Sequence, residues 1–189
     1  MGYDGLMIAY LFWHTPRTGV DEVVYAAKLA RFQEELEQLG PGASGLVQDP
    51  AAYRLDAVPW VPVARPVYLD VYPMDSTAQM ELLNTAAVTG PLAQPHAEIA
   101  ALYGSGAGSL YGLRAGIVEA ATDSYWFSKP AGMSYAELDS ALAPLITSGV
   151  ALLRRMMVLG PSPEFGLLSP QALTLPSPFV AEHRALTSL

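Results

Sequence analysis

The sequence predicts an α+β fold built from ferredoxin-like antiparallel sheets with helices on one face, in which the unit is duplicated and the second repeat is truncated. The first observation is the order of elements up to residue 114, which is strand, helix, strand, strand, helix, strand and therefore ferredoxin-like. The second is a recurrence at residues 10–19 and 125–132 of an aromatic strand, a polar residue, a proline, a glycine and a helix start. Such a recurrence is typical of duplicated units that share one core.

Length and composition are consistent with one domain made of two halves. The chain has 189 residues, of which 51% are hydrophobic and 15% are charged, and these values are typical of a large buried core. We place the first half at residues 1–118, the second, truncated half at 119–170 and a C-terminal tail at 171–189. Both halves are expected to belong to one domain.

Composition also excludes several kinds of function. The chain contains no cysteine, which excludes disulfides, thiolate nucleophiles and iron–sulfur clusters. Its net charge is −8 and it has only two lysines, Lys28 and Lys129, so we expect neither nucleic acid nor an anionic membrane as a partner. No basic segment precedes an apolar one at the N-terminus, so we expect no signal peptide and a cytoplasmic location.

The first strand and the first helix follow from residue type and spacing. Residues 6–13 are short, aromatic and apolar, which indicates a buried strand. His14 then opens a turn that ends at Gly19. Apolar residues recur at helical spacing over residues 21–39, and Gly40-Pro41-Gly42 ends that helix.

The rest of the first half alternates extended and helical segments. Extended segments are predicted at residues 44–47, 53–58, 65–72 and 109–114. Ser76 and Gln79 predict a capping box for a helix ending near Val88, and a further helix is predicted over residues 95–103. The glycine-rich residues 104–109 follow a helix and precede a strand, which is the reverse of a phosphate loop, so we interpret them as a flexible connection.

The second half is predicted to be a shorter version of the first. Its strands are predicted at residues 125–128, 150–158 and 164–168. Ser134 and Glu137 predict a capping box for the helix over residues 134–146. In the proline-rich tail we expect one terminal helical turn or more.

The element order and the strand–proline–glycine–helix recurrence resemble the dimeric α+β barrel superfamily, in particular its EthD-like and antibiotic-monooxygenase-like branches, in a tandem form. The resemblance implies that two ferredoxin-like sheets form a barrel and that small organic ligands bind between sheet and helices. Members include cofactor-independent oxygenases, isomerases, haem-handling enzymes and many proteins of no known activity. The EthD-like branch carries a His-x-Pro element near the end of its first helix, whereas His14-Thr15-Pro16 precedes the helix here.

Alternation along residues 65–72 divides that strand into a polar face and an apolar face. The polar face carries Tyr68, Asp70 and Tyr72, and the apolar face carries Val67, Leu69 and Val71. We expect the apolar face to pack under the helices. The polar face is then expected to line the interior of the barrel.

The first strand also alternates, with Tyr10 and His14 on one face, so these two side chains and the polar face can converge on one cavity. A cavity with aromatic walls and few polar groups suits a small molecule. In this interpretation the tyrosines, Tyr10, Tyr68 and Tyr72, bind the substrate. The alternative is that the same residues form a polar dimer interface or a satisfied hydrogen-bond network.

His14 is the candidate acid–base residue, because an imidazole titrates near neutral pH and Asp70 can orient it. The alternative for His14 is a turn histidine that bonds a backbone carbonyl. His96 is interpreted as a surface or capping residue and His183 as an exposed residue of the tail. No metal-ligand spacing occurs, so we expect neither a metal nor another cofactor.

The leading functional hypothesis is a small-molecule-handling protein, either a binder or a cofactor-independent enzyme acting on a hydrophobic or aromatic organic acid or ketone. The alternative is a non-catalytic ligand-binding or oligomerisation module. The high hydrophobic content predicts a homodimer, because one unit has more apolar surface than a compact monomer can easily bury. A cavity touching His14 and Asp70 favours the first hypothesis, and a filled barrel favours the second.

Overall fold

The computed structural model describes residues 7–63, 66–116, 120–157 and 160–189. The strands are β1 (Ile8–Pro16), β2 (Ala51–Leu55), β3 (Val67–Met74), β4 (Tyr103–Ala115), β5 (Asp123–Phe127), β6 (Ala151–Arg155), β7 (Phe165–Ser169), β8 (Ala181–Ala185) and β9 (Thr187–Ser188). The α-helices are α1 (Glu22–Leu39), α2 (Pro41–Ser44), α3 (Gln79–Val88), α4 (Ala93–Ala100) and α5 (Tyr135–Leu142). Short 3₁₀ turns at Gly90–Leu92 and Ala143–Leu145 precede α4 and follow α5.

All nine described strands belong to one antiparallel sheet in the order β8-β5-β7-β6-β4-β1-β3-β2-β9. The predicted α+β class is therefore confirmed at this level: a large antiparallel sheet with helices. Two sets of four strands have the same internal order. These sets are β4-β1-β3-β2 and β8-β5-β7-β6. If the strands of each set are numbered along the chain, both sets have the order fourth, first, third, second.

The two ends of the sheet meet through the C-terminal strands. β8 pairs with β5 at one end of the strand order, and β9 pairs with β2 at the other end. Only Leu186 separates β8 from β9, so the sheet curls until its ends lie side by side. A buried Leu186 and a hydrogen bond from the backbone N–H of Leu189 to the carbonyl of Ala52 join them.

Buried side chains form three groups around this curled sheet. The inner core receives residues from both sets of strands and contains Trp13, Tyr111 and Trp126. The first outer core lies between β1, β3 and the helices α1 and α4. The second outer core lies between the strands β5 to β7, α5 and the tail residues Leu173, Leu175 and Phe179.

The inner core is filled with aromatic side chains. Trp13 contacts Trp126 edge to face with ring centroids 5.0 Å apart, and Trp60 lies 5.5 Å from Trp13. Tyr111 completes the group at 5.8 Å from Trp126. A closed sheet of this size is only wide enough inside for side chains, and here large rings occupy that space.

The predicted orientation of β3 is wrong. The strand alternates as expected, but Val67, Leu69 and Val71 belong to the inner core, while Tyr68 and Tyr72 face the helices in the first outer core. The physical reason is that the inside of a curled sheet is enclosed by other strands and offers apolar partners from both halves. The helix α1 instead provides polar partners, such as Gln33, for the polar face.

Four other segments differ from the predictions. Residues 104–109 lie inside β4 rather than in a flexible connection, and the predicted extended segment at residues 44–47 is not a strand, because Ser44 ends the short helix α2. The tail contains β8 and β9 rather than a helical turn, because it pairs with two strand edges that would otherwise be open. His14 lies within β1 rather than in a turn.

Helix ends are partly as predicted. α1 ends at Leu39 with Gly40 in a left-handed conformation at φ 69°, and the capping box of Ser134 and Glu137 is present at α5. The box at Ser76 is not formed, because α3 begins only at Gln79 and its cap Ala78 is already helical. The side chain of Gln79 nevertheless accepts hydrogen bonds from the backbone N–H groups of Asp75 and Ser76.

Several predicted limits cannot be compared with the fold. The strand starts at Leu6 and Arg65, the strand end at Val158 and the boundary between residues 118 and 119 lie outside the described residues.

Candidate functional site

The register of β1 and β3 brings the polar side chains together. Phe12 lies opposite Asp70 and His14 opposite Tyr68 in the antiparallel pair, and Tyr10 lies opposite Tyr72. Because side chains on one face of a sheet recur every second residue, all of these side chains face α1 and α4. A cluster predicted from two separate strands is thus assembled on one face.

His14 is held between two partners. Its Nδ1 lies 2.6 Å from the hydroxyl of Tyr25 on α1, and its Nε2 lies 3.2 Å from Oδ2 of Asp70 on β3. The second distance is within ion-pair range but lacks hydrogen-bond alignment, since His14 Nε2 has no hydrogen-bond partner among the described residues. A carboxylate beside Nε2 favours the tautomer with its proton there, and Nδ1 then accepts from Tyr25.

Asp70 is buried, with 3% of its surface exposed, and only one of its carboxylate oxygens has a donor. Oδ2 accepts a hydrogen bond of 2.9 Å from Tyr72, whose hydroxyl in turn accepts one of 3.1 Å from Nε2 of Gln33. Oδ1 of Asp70 is buried and has no partner among the described residues. A buried carboxylate oxygen without a donor is costly, which makes Oδ1 the unsatisfied acceptor of the cluster.

The phenols around Asp70 stay protonated well into the alkaline range. Burial, and secondarily the negative charge of Asp70, raises the pKa of Tyr72 well above its usual value. The same two causes, in the same order, raise the pKa of Tyr25 and of Tyr10. Tyr72 therefore acts as a hydrogen-bond donor to Asp70.

A cavity of about 560 Å³ lies beside this cluster, between the sheet and the helices α1, α3 and α4. Its walls are mostly apolar or aromatic, and include Phe12, Leu29, Phe32, Leu83 and Ile99. Polar side chains also line it, namely Tyr10, His14, Tyr25, Asp70, Tyr72, Asn84, His96 and Tyr103. Volume and lining are both in the range of small-molecule sites.

The glycines of β4 make room for the aromatic wall. A side-chain carbon at Gly108 would lie 2.5 Å from the hydroxyl of Tyr10, and one at Gly106 would lie 3.1 Å from the ring of Phe12. The rings of Tyr10 and Phe12 are stacked with centroids 6.2 Å apart. The glycines of β4 therefore leave room for the rings of Tyr10 and Phe12, which lie flat across this strand.

Four of the five predicted site residues line the cavity: Tyr10, His14, Asp70 and Tyr72. Tyr68 does not. Its hydroxyl donates to the backbone carbonyl of Glu22 at 3.3 Å, and it lines a separate shallow pocket with Arg54.

Sequence reasoning missed several residues of the site, namely Phe12, Tyr25, Gln33 and His96. Tyr25 belongs to the apolar stripe of α1, and the polar Gln33 is buried on that same face; a buried polar residue on an apolar stripe was the available signal. His96 packs its ring 5.7 Å from Phe32 and lines the cavity rather than serving as a surface cap. His183 is exposed as predicted and lies 2.7 Å from Asp123.

A wider groove of about 1170 Å³ is lined by residues of both halves of the chain and includes Arg154 and Arg155. Arg154 pairs with Glu164 at 3.1 Å, and Arg155 donates to the carbonyls of Gly160 and Ser162. This groove is larger than the cavity but more open, and neither His14 nor Asp70 lines it. The smaller cavity combines enclosure with a titratable pair, so we take it as the candidate site.

Neither a metal-ligand cluster nor a membrane-spanning helix is found in the described part of the chain. Within it, no group of three or more His, Asp or Glu side chains is placed to hold a metal ion. Over the same residues, every helix is too short or too polar to cross a bilayer.

Comparison with known proteins adds no family assignment. The chain matches no protein-family model, and no curated protein sequence is significantly similar to it. The function has to be argued from the site.

Proposed function

We propose that the chain binds a small apolar or aromatic organic molecule in the cavity between sheet and helices, and that His14 and Asp70 exchange a proton with it. The observation that carries the proposal is the buried pair at 3.2 Å on the wall of a 560 Å³ cavity. A general base must lie within hydrogen-bond reach of the proton that it removes. The ligand class suggested by the sequence is a hydrophobic or aromatic organic acid or ketone, and the α-proton of a ketone is acidic enough for such a base.

The architecture supports the same proposal. We infer that the two sets of four strands are duplicated ferredoxin-like units closed into a barrel, as in the dimeric α+β barrel superfamily that the sequence resembles. The support is their equal strand order and the junction of the sheet ends through Leu186. In that superfamily ligands bind between sheet and helices, which is the place of the cavity here.

Only the first half has such a cavity in this proposal. In the second half, Tyr125 and Phe127 on β5 occupy the positions of Tyr10 and Phe12. The residues opposite them on β7 are Leu167 and Phe165, where β3 has Tyr72 and Asp70. The second outer core is packed with apolar side chains. One ligand per chain is therefore expected.

The filled inner core favours a structural role for the barrel interior, while the cavity outside it favours ligand handling. The homodimer stays a prediction. Because the ends of the sheet meet within one chain, a second chain is not required to pair the strand edges. Light scattering decides between a mass of 20.2 kDa and twice that value.

Binding is tested with the uncharged fluorescent ketone 6-propionyl-2-(dimethylamino)naphthalene. Ala87 lines the cavity without touching His14 or Asp70, so Ala87→Phe should fill the cavity and weaken binding at least tenfold. Ala97→Phe, at an exposed position of α4, is the matched control and should bind within about twofold of the wild type. Equal binding by both variants, or none by the wild type, contradicts the cavity as a ligand site.

Proton transfer is tested with 2-acetylnaphthalene in D₂O, in which exchange of the α-protons is followed by NMR. The wild type should accelerate exchange, and His14→Gln and Asp70→Asn should each lower the acceleration about 100-fold, the usual contribution of a general base. Ligand binding without any acceleration would leave a binding protein and would remove the acid–base role.

A further inference from the structure

The charge of the cavity restricts the kind of molecule that fits it. Among the residues that line it there is no lysine and no arginine. Asp70 is the one carboxylate among them, and the histidines His14 and His96 are the only side chains in the lining that can become positive. His14 is already engaged with Asp70 and Tyr25.

The hydrogen bonds of Asp70 further restrict the kind of ligand that fits the cavity. Asp70 Oδ2 is satisfied by Tyr72, but Oδ1 has no donor among the described residues. The oxygen of an ionised carboxylate only accepts hydrogen bonds. A ligand with a hydroxyl or an N–H group supplies the missing donor, whereas an ether or a carboxylate supplies none.

Aromatic rings line the same cavity as Asp70. Tyr10 and Tyr72 are stacked with centroids 6.2 Å apart, and Phe12 stacks on His14 at 4.9 Å. The faces of such rings are negative and repel an anionic ligand in addition to Asp70.

From these observations we infer that the natural ligand carries, in addition to the ketone group of the proposed function, a hydroxyl or amine group that donates a hydrogen bond to Asp70 Oδ1, and that it has no negative charge. The inference rests on the proposed cavity function and narrows it: it removes the organic acids from the ligand class suggested by the sequence. It also assigns Asp70 a role of its own in selecting the ligand, beyond the orientation of His14.

Three probes of nearly equal shape test the inference: naphthalen-2-ylmethanol, its methyl ether and 2-naphthoate. The alcohol offers a donor, the ether only an acceptor, and the carboxylate a negative charge. Isothermal titration calorimetry of the full chain at pH 7.5 should show the alcohol binding at least about 10-fold tighter than the ether, as expected for one hydrogen bond to a charged group. Binding of the carboxylate should be weaker still, by about 100-fold relative to the alcohol.

The Asp70→Asn variant provides the second measurement, because it removes the negative charge and keeps the shape. In this variant the preference for the alcohol over the carboxylate should fall at least 10-fold. An ether or a carboxylate that binds the wild type as tightly as the alcohol overturns the inference and leaves the cavity function intact. If none of the three probes binds the wild type, the proposed function itself fails together with the inference.

Discussion

At the scale of single residues, the polar cluster is a chain of hydrogen bonds with few spare partners. Tyr72 is central, because its hydroxyl donates to Asp70 and accepts from Gln33. The amide oxygen of Gln33, Oε1, is buried and has no hydrogen-bond partner in the part of the chain that the structure describes. Buried networks that are partly satisfied are sensitive to any further loss. The hydrogen bonds of the cluster are therefore expected to contribute to the stability of the fold.

Tyr72→Phe should lower the free energy of unfolding by about 1–3 kcal/mol, because it leaves Gln33 Nε2 without an acceptor and removes the only aligned donor of Asp70. The control is Tyr68→Phe, whose hydroxyl makes one long bond of 3.3 Å to a backbone carbonyl and should cost less than about 1 kcal/mol. Urea unfolding followed by circular dichroism measures both. Equal losses in the two variants would show that the network adds nothing.

Sequence reasoning selected His14, Asp70 and Tyr72 because alternation fixes which residues of one strand share a face. It could not decide whether that face lies under helices or inside the curled sheet, since both faces of β3 are buried. That decision depends on partners far away in the sequence. Gln33 on α1 is a partner of the polar face of β3, and Trp126 on β5 belongs to the same inner core as its apolar face.

At the scale of elements, β4 shows how a contact between strands can override local preference. Glycine is depleted in strands, and residues 104–109 were accordingly interpreted as a connection. The neighbouring strand β1, however, lays Tyr10 and Phe12 across β4, where only a residue without a side chain leaves space. A single sequence shows the glycines and the aromatic residues but not that they face each other.

Gly106→Ala should destabilise the protein by about 1–3 kcal/mol, the usual cost of overpacking. Its new methyl group would lie 2.5 Å from the backbone carbonyl oxygen of Trp13, which cannot move alone.

Gly108→Ala should lower the stability less, because its methyl group would contact the side chain of Tyr10 rather than backbone. It should weaken ligand binding, because Tyr10 forms part of the cavity wall. Gly42→Ala, with nothing within 4 Å, is the control and should be neutral or slightly stabilising. Thermal unfolding ranks the three, and a Gly106 variant as stable as the Gly42 control contradicts the close approach.

At the scale of the whole molecule, the C-terminal strands determine whether the sheet is closed. The proline-rich tail is predicted from the sequence to form one terminal helical turn or more. Its strands pair with β5 on one side and β2 on the other. The tail forms strands because the edges of β5 and β2 would otherwise be open, and no local sequence pattern reveals these edges.

Deletion of residues 181–189 should open the sheet and lower the free energy of unfolding by about 3 kcal/mol or more, since it removes the buried Leu186 and two strand pairings. The aromatic inner core should loosen, so that the near-ultraviolet circular dichroism of Trp13 and Trp126 weakens and the open edges promote self-association. Val180→Ala, at a position that is 86% exposed, serves as the control. A truncated chain with unchanged spectrum and mass would show that closure is not needed for the inner core.

The whole fold also responds to alkaline pH through its buried phenols. Burial is the first cause of a raised pKa for Tyr10, Tyr25, Tyr53, Tyr68, Tyr72 and Tyr111. In the unfolded chain these groups lose their protons near pH 10.0, whereas the folded chain keeps them, so their stabilising effect is complete below that pH and is lost as the pH rises above it. Each such phenol should lower the free energy of unfolding by about 1.4 kcal/mol per pH unit there.

Tyr25→Phe removes one of these phenols, so the free energy of unfolding of the variant should fall less steeply than that of the wild type between pH 10 and 11. Between pH 7 and 9 the two curves should run parallel, offset by the lost bond to His14. Urea unfolding at several pH values measures the slopes, and identical slopes above pH 10 would mean that Tyr25 ionises alike in the folded and unfolded chains.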